Sequence, residues 1–297
     1  MRVAAVDLGT NSTRLLVADV NGDLREVVRR LRITRLGEGV DARGKLLPVP
    51  VARVRNVLAE YRRELESHGA ERTLCVGTSA VRDAENGEAF LGEIEWSYGF
   101  STRMLTGDEE ADMTLRGVGA VESGTLVVDI GGGSTEVQLV GGDERESLQL
   151  GCVRLTERFG EDVDAIRSYV RGELPQFEAA SAVGVAGTVT TLAALDLELA
   201  EYDPERTHGH RLSTAAAREQ CARLAALSLP ERERIMEPGR APVIVAGAAI
   251  LIAILERYTL DEIRVSERDI LHGAALAAAE LPEPEEGAAP PGAYTCC

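Results

Sequence analysis

Two stretches of the chain share one pattern of apolar and polar positions. In Val127-Val128-Asp129-Ile130-Gly131-Gly132-Gly133-Ser134-Thr135-Glu136-Val137, an apolar run leads into an Asp, three glycines, two hydroxyls and a Glu. This predicts a buried strand, a tight turn and a second strand running on to Val140. Near the N-terminus the chain reads Val6-Asp7-Leu8-Gly9-Thr10-Asn11-Ser12-Thr13-Arg14-Leu15-Leu16-Val17. Laid over Val128 to Leu139, it matches Val-Asp, an aliphatic residue, Gly, two variable positions and Ser-Thr. One such loop in each half predicts an internal duplication.

The remaining periodicity alternates between strand and helix. A third strand is expected over 24–36, followed by a polar loop over 37–45. Apolar residues at Val51, Val54, Leu58, Tyr61 and Leu65 have helical spacing and predict a helix closed by Gly69. A strand at 72–77, a short helix after Thr78-Ser79, a helix at 87–96 and a strand at 102–105 lead to a helix from Asp108, the expected cap, to about Gly117. In the second half the pattern predicts a strand over 147–154, a helix from Thr156 or Glu157, a strand over 181–186, and a helix opened by Gly187-Thr188. A polar loop covers 202–210. Helices at 214–227 and 242–256, a strand at 263–266 and a helix at 269–279 complete the folded chain. The expected division is 1–120 and 121–280, with a flexible tail rich in Pro, Glu, Gly and Ala over 281–297.

Composition narrows the classes. The chain has 297 residues, 44% of them hydrophobic, enough for two domains with cores of their own. The longest apolar run, 241–255, is shorter than the roughly 20 residues a bilayer requires, so it predicts a buried helix and no membrane association. The five cysteines have no CxxC or CxxxC spacing, and Asp7 interrupts any signal-peptide pattern. Reduced thiols in the cytoplasm are expected. A net charge of −17 argues against a nucleic-acid partner. The first 70 residues run the other way, with 13 basic against 9 acidic side chains, and could present a positive face to a polyanion. A solvated helix surface accounts for that surplus equally well. The single lysine, Lys45, follows Gly44 but precedes Leu46, so GxxxxGK[ST] is absent and a P-loop NTPase is excluded.

Consecutive glycines leave main-chain N–H groups open to close approach, and a phosphate fits such a cradle. Asp129 and Glu136 sit at the two rims of the second loop, where they suit a metal better than a bare anion. Glu109 and Glu110 fall in the first turn of their helix, where glutamates also serve simply as dipole partners. Gly187-Thr188 suits an anion at a helix N-terminus or a plain strand-to-helix connection.

The paired loops resemble those of the actin, Hsp70 and sugar-kinase superfamily. More specifically, eight pieces in order resemble the exopolyphosphatase and guanosine pentaphosphate phosphohydrolase (Ppx/GppA) family. They are AVDLGTNSTRLLV, GTSAVRDAEN, LTGDEEA, LVVDIGGGSTEVQLV, LGCVRLTERF, GVAGTVTTLAAL, HGHRL and VSERDILHG. The chain resembles the short, two-domain form. The resemblance implies an α/β fold of two ribonuclease-H-like domains with an interdomain cleft, the two loops holding one phosphate chain from both sides. It implies Glu110 as catalytic base and Arg82 as a second catalytic residue that binds phosphate oxygens, with phosphate bound by Gly9, Thr10, Asn11 and Ser12 and by Gly131, Gly132, Gly133, Ser134 and Thr135. It implies Mg²⁺ (or Mn²⁺) held by Asp129, Glu136 and Asp7. The implied reaction is removal of terminal orthophosphate from inorganic polyphosphate by in-line attack of water. A guanosine pentaphosphate phosphohydrolase is the alternative. A small-molecule kinase and a non-catalytic phosphate-chain sensor are further readings, and a homodimer is the candidate oligomer.

Overall fold

The computed structural model describes residues 1–282; the expected tail thus lies almost entirely outside the described residues. In chain order the elements are β1 (Arg2–Leu8), β2 (Ser12–Asn21), β3 (Asp23–Ile33), α1 (Val40–Arg43), α2 (Pro48–Ser67), β4 (Arg72–Gly77), α3 (Ser79–Arg82), α4 (Gly87–Tyr98), β5 (Ser101–Met104) and α5 (Gly107–Val118). There follow β6 (Thr125–Ile130), β7 (Thr135–Leu139), β8 (Arg145–Leu148), α6 (Cys152–Phe159), α7 (Val163–Glu173), β9 (Ser181–Val185), α8 (Ala186–Asp196), α9 (Pro204–Thr207), β10 (Arg211–Ser213), α10 (Thr214–Ala226), α11 (Leu229–Arg232), α12 (Ile244–Arg257), β11 (Glu262–Val265) and α13 (Ile270–Ala279).

The described chain forms two units, Met1–Gly117 with residues 270–282, and Val118–Asp269. The first contains a sheet of order β3-β2-β1-β4-β5, the second a sheet of order β10-β11-β9-β6-β7-β8. In the first, β1, β2 and β3 form an antiparallel meander and β4 and β5 run parallel to β1. In the second, β6, β7 and β8 form the meander, β9 and β11 run parallel to β6, and β10 adds an antiparallel edge. The duplication seen in the loops therefore extends to whole sheets. The strand order, with a meander feeding parallel strands, is the expected ribonuclease-H-like arrangement.

Both faces of the first sheet are buried. Ala4, Val6, Leu8 and Cys75 pack with Val54, Leu58 and Tyr61 of α2 and with Ile94 of α4. The Tyr61 hydroxyl donates to Thr13 O at 2.9 Å, fixing α2 against β2. The other face, Val3, Ala5, Leu16 and Val76, packs against Leu271, Ala274 and Ala278 of α13. This corrects the expected 121–280 domain: α13 belongs with the first unit, because its apolar face covers β1, β2 and β4. Arg72 Nη1 donates to Ala279 O at 2.9 Å, and His272 Nε2 lies 2.7 Å from Glu26 Oε1. In the second unit α12 is buried from Ile244 to Leu255 and packs against α7 and α10. Among the described residues no helix is long and apolar enough to cross a membrane.

Two further expectations are corrected. The strand expected over 147–154 ends at Leu148, and Cys152 begins α6. The loops at 37–45 and 202–210 contain the short helices α1 and α9.

Candidate active site

Each unit carries one glycine loop between the first two strands of its meander. Gly9 N donates to Ser12 O and Gly131 N donates to Ser134 O, both at 3.0 Å, so the two turns close alike. In the second loop the carbonyls are engaged on one side. Gly131 O accepts from Cys152 N at 3.0 Å, Gly132 O from Val153 N at 2.9 Å and Arg154 N at 3.2 Å, and Gly133 O from Arg154 Nε at 2.8 Å. None of the described peptides is cis. In a planar trans peptide the following N–H opposes the carbonyl. The N–H groups of Gly132, Gly133 and Ser134 therefore point away from α6 in a row, as an anion nest requires. Gly151 makes this possible, since a Cβ there would lie 2.0 Å from Gly132 O.

The first loop is built the same way. Thr10 O accepts from Gly37 N at 2.9 Å, and Asn11 O accepts from Thr34 N at 3.1 Å and Arg35 N at 2.9 Å. The N–H groups of Asn11 and Ser12 are turned to the opposite side. In both copies the segment after the third strand braces the loop from behind.

The charges differ between the copies. Register pairs Asp7 with Arg14 in the first and Asp129 with Glu136 in the second. Arg14 holds Asp7 through an ion pair of 2.7 Å. Directly opposed residues of an antiparallel pair share a face, so Asp129 and Glu136 stand side by side, 6% and 2% exposed. Ser147 Oγ donates to Glu136 Oε1 at 2.7 Å. Two adjacent buried carboxylates repel each other and suit a divalent cation, which for Mg²⁺ typically takes one or two carboxylates, water and phosphate oxygens. Asp7, expected as a third ligand, gives its Oδ2 to Arg14 rather than keeping both oxygens for a cation. Among the described residues no three His, Cys, Asp or Glu side chains gather into one metal-holding cluster.

Thr135 also departs from expectation. It is fully buried and its hydroxyl donates to Leu150 O at 2.6 Å, so it supports the loop from behind. Ser134 is buried and Ser12 half-buried in their loops.

The two glutamates of α5 separate cleanly. Thr106 and Glu109 form a reciprocal cap: Thr106 N donates to the Glu109 carboxylate at 2.8 Å, and Glu109 N donates to Thr106 Oγ1 at 3.2 Å. Thr106, not the expected Asp108, caps the helix. The Thr106 N–H and Arg103 hold the Glu109 carboxyl below its ordinary range. Glu110 turns inward, 7% exposed, and Arg82 Nη1 meets its Oε2 at 2.8 Å. The same Nη1 donates to Leu105 O at 3.0 Å. Arg82 Nη2 is buried with no hydrogen-bond partner among the described residues.

Sequence reasoning missed three arginines. Arg14 stands in the sequence only as part of a repeat, and Arg154 at the end of an expected strand. Arg240 had no motif signal of its own. A Cβ at Gly187 would lie 1.2 Å from Arg240 Nη1, which places this guanidinium against the start of α8. Burial pushes the nearby Cys152 thiol up to about 11, outweighing the lowering effects of Arg240 and Thr188. Cys152 is therefore a poor nucleophile. A basic residue near a phosphate loop was the available signal, but an arginine-rich chain offers too many candidates.

Comparison with known proteins gives the family. The model of the Ppx/GppA phosphatase family matches residues 15–280. Exopolyphosphatase 2 of Mycobacterium tuberculosis is 40% identical over 94% of this chain and 98% of its own length. Guanosine-5'-triphosphate,3'-diphosphate pyrophosphatase of Aeromonas hydrophila is 32% identical over 89% of this chain and 56% of its own length. The crystal structure of the Aquifex aeolicus Ppx/GppA family member superposes with a TM-score of 0.79 at 32% identity, covering 94% of this chain and 97% of that one. With nearly the whole chain matched in sequence and in fold, the chain belongs to the Ppx/GppA phosphatase family.

Proposed function

We propose that this chain is an exopolyphosphatase, hydrolysing terminal orthophosphate from inorganic polyphosphate. The observation that carries the proposal is the buried Glu110–Arg82 pair, with one guanidinium nitrogen unpartnered. A carboxylate in that setting can accept a proton from water, while the unpartnered N–H of Arg82 can donate to a phosphate oxygen. Oxygen–phosphorus bond formation from water accompanies cleavage of the terminal P–O bond. The proton passes to Glu110, and the shortened chain departs as an anion. The amide rows of the two loops, with Ser12 and Ser134, are proposed to bind phosphate oxygens. Asp129 and Glu136 are the residues proposed to hold Mg²⁺ (or Mn²⁺), which when bound offsets phosphate charge.

No residue set is proposed for a covalent phosphoenzyme, since Asp7 is engaged by Arg14 and the Cys152 thiol is held protonated. Buried, unbridged Cys75, Cys152 and Cys221 support a reducing compartment, and the cytoplasm is the one proposed.

The Aeromonas relative supports guanosine pentaphosphate as a second substrate. Orthophosphate release from polyphosphate and from guanosine pentaphosphate, measured side by side with Mg²⁺, tests the assignment. Higher kcat/KM on polyphosphate is expected. Turnover of the nucleotide alone would give the second reading, and transfer to an added alcohol or carboxylate would give a kinase.

A further inference from the structure

The segment 34–47 follows β3 and is fastened at both ends to site elements of the first unit. At its start, the amides of Thr34, Arg35 and Gly37 support the first phosphate loop through Asn11 O and Thr10 O. Two successive amides converge on Asn11 O where Arg35 adopts a left-handed φ of 49°, a conformation rarely taken by a residue other than glycine, Asn or Asp. At its far end, Glu85 N donates to Gly44 O at 2.8 Å. The Asn86 side chain bonds both Leu46 N, at 2.8 Å, and Leu46 O, at 3.1 Å. Glu85 and Asn86 lie just beyond Arg82. Between these anchors, Leu36, Val40 and Leu46 are buried. The segment is thus a fixed brace between the loop and the α3–α4 connection that follows Arg82.

Three cations of this brace form no ion pair among the described residues, although the Glu85 carboxylate stands nearby, its Oε1 3.7 Å from where a Cβ on Gly44 would lie. Glu38 is taken by Arg53 at 2.6 Å, and Asp41 lies in the first turn of α1. Arg35, Arg43 and Lys45 are exposed and have no ion-pair partner among the described residues. Elsewhere in the N-terminal 70 residues, Arg2, Arg14, Arg25, Arg30, Arg53, Arg55 and Arg62 all meet carboxylates within 2.8 Å. The second copy shows what an arginine here can do. Arg154 occupies the matching brace behind the second loop, tied by its Nε to Gly133 O. In the first copy Arg35 has no such tie. A chain of net charge −17 repels a polyanion over most of its surface, so a local positive track must receive one.

We propose that Arg35, Arg43 and Lys45 form an outer subsite on the first unit, which holds the trailing phosphates of a long polyphosphate beyond those gripped by the glycine loop. The inference rests on the polyphosphate reading above and adds where the excess length of that substrate is bound. Such contacts act by counterion release, so they register as salt dependence of binding.

The test compares wild type with Arg43→Gln/Lys45→Gln and with the triple variant adding Arg35→Asn, asparagine being a residue that tolerates the left-handed conformation. KM for long-chain polyphosphate and for tripolyphosphate is measured across a salt series, with thermal unfolding recorded in parallel. In the triple variant the ratio of long-chain to tripolyphosphate KM is expected to rise about tenfold, the combined effect of three exposed charge contacts. The slope of log KM against log salt for the long chain should fall by about 2. The double variant should show more than half of both effects, which separates charge loss from any disturbance at Arg35. An unchanged ratio and slope in an active triple variant would overturn the subsite alone. Equal weakening toward tripolyphosphate would also overturn it, by placing the effect on the loop. Absence of both binding and hydrolysis of polyphosphate by wild type would instead overturn the parent reading, and this one with it.

Discussion

Glu109 and Glu110 are adjacent in sequence and differ in everything that matters to chemistry. One helical step carries Glu109 to the surface, where it caps its own helix, and Glu110 inward to Arg82. Conservative amide substitutions should therefore separate them. Glu110→Gln keeps shape and burial but removes the proton acceptor, so kcat should fall by roughly 10²–10⁴-fold with the unfolding midpoint close to wild type. Glu109→Gln should leave kcat near wild type and cost about 1 kcal/mol of stability or less, because the amide oxygen still accepts from Thr106 N. Steady-state kinetics and thermal melts on the pair check both; a Glu109→Gln enzyme as inactive as Glu110→Gln would reassign the base. The motif made these residue types legible, but not the burial that distinguishes them. Asp7 and Thr135 make the same point. Their places in the repeated pattern were readable, whereas Arg14 on one and Leu150 O on the other are partners set by strand register and by a later brace.

At the scale of elements, what could be read was whatever announced itself within about ten residues. The two hairpins follow from Asp, glycine and hydroxyl between apolar runs, and α2 from Val51, Val54, Leu58, Tyr61 and Leu65, all of which are buried. The start of α6 could not be read, because Leu150-Gly151-Cys152-Val153 continues an apolar strand pattern and the helix is set by amides captured by the loop carbonyls. The packing of α12 shows a further dependence of elements on one another. Glu256, in its last turn, accepts from Arg167 of α7 at 2.5 Å and Arg218 of α10 at 2.8 Å. These bonds, that of Arg167 foremost, hold its carboxyl below the ordinary range. A carboxyl whose pKa is lowered by folding stabilises the fold above its unfolded pKa of about 4.3 and loses that contribution as pH falls through the folded value. Glu256→Gln should therefore melt below wild type at pH 7, and the gap should close as pH falls below about 4. A gap constant with pH would show that packing, not charge, ties the three helices.

Over the whole molecule, the duplication was visible because both copies keep their loops, and the sheets repeat it over five strands, to which the second adds β10 as an edge. The home of α13 was not visible. Its sequence announces a helix, but its partners lie in β1, β2, β4 and α5, far back along the chain. That return has a consequence for the base. Gly273 packs α13 onto α5 so closely that a Cβ would lie 1.9 Å from Met113 O, one turn beyond Glu110. Propensity alone says that Gly→Ala inside a helix stabilises by about 1 kcal/mol. At Gly273 the sign should reverse, since the backbone of α5 or α13 must shift, at an overpacking cost of about 1–3 kcal/mol. Gly273→Ala should then melt below wild type and lose activity in kcat more than in KM, because the displaced helix is the one carrying Glu110. Gly92 supplies the control: it sits within α4, exposed, with nothing within 4 Å of an added Cβ, and Gly92→Ala should be neutral or stabilising with full activity. If both alanines stabilise alike, α13 tolerates displacement and has no hold on the base. If only Gly273→Ala destabilises and slows turnover, the last helix of the chain fixes the position of a carboxylate in its first half.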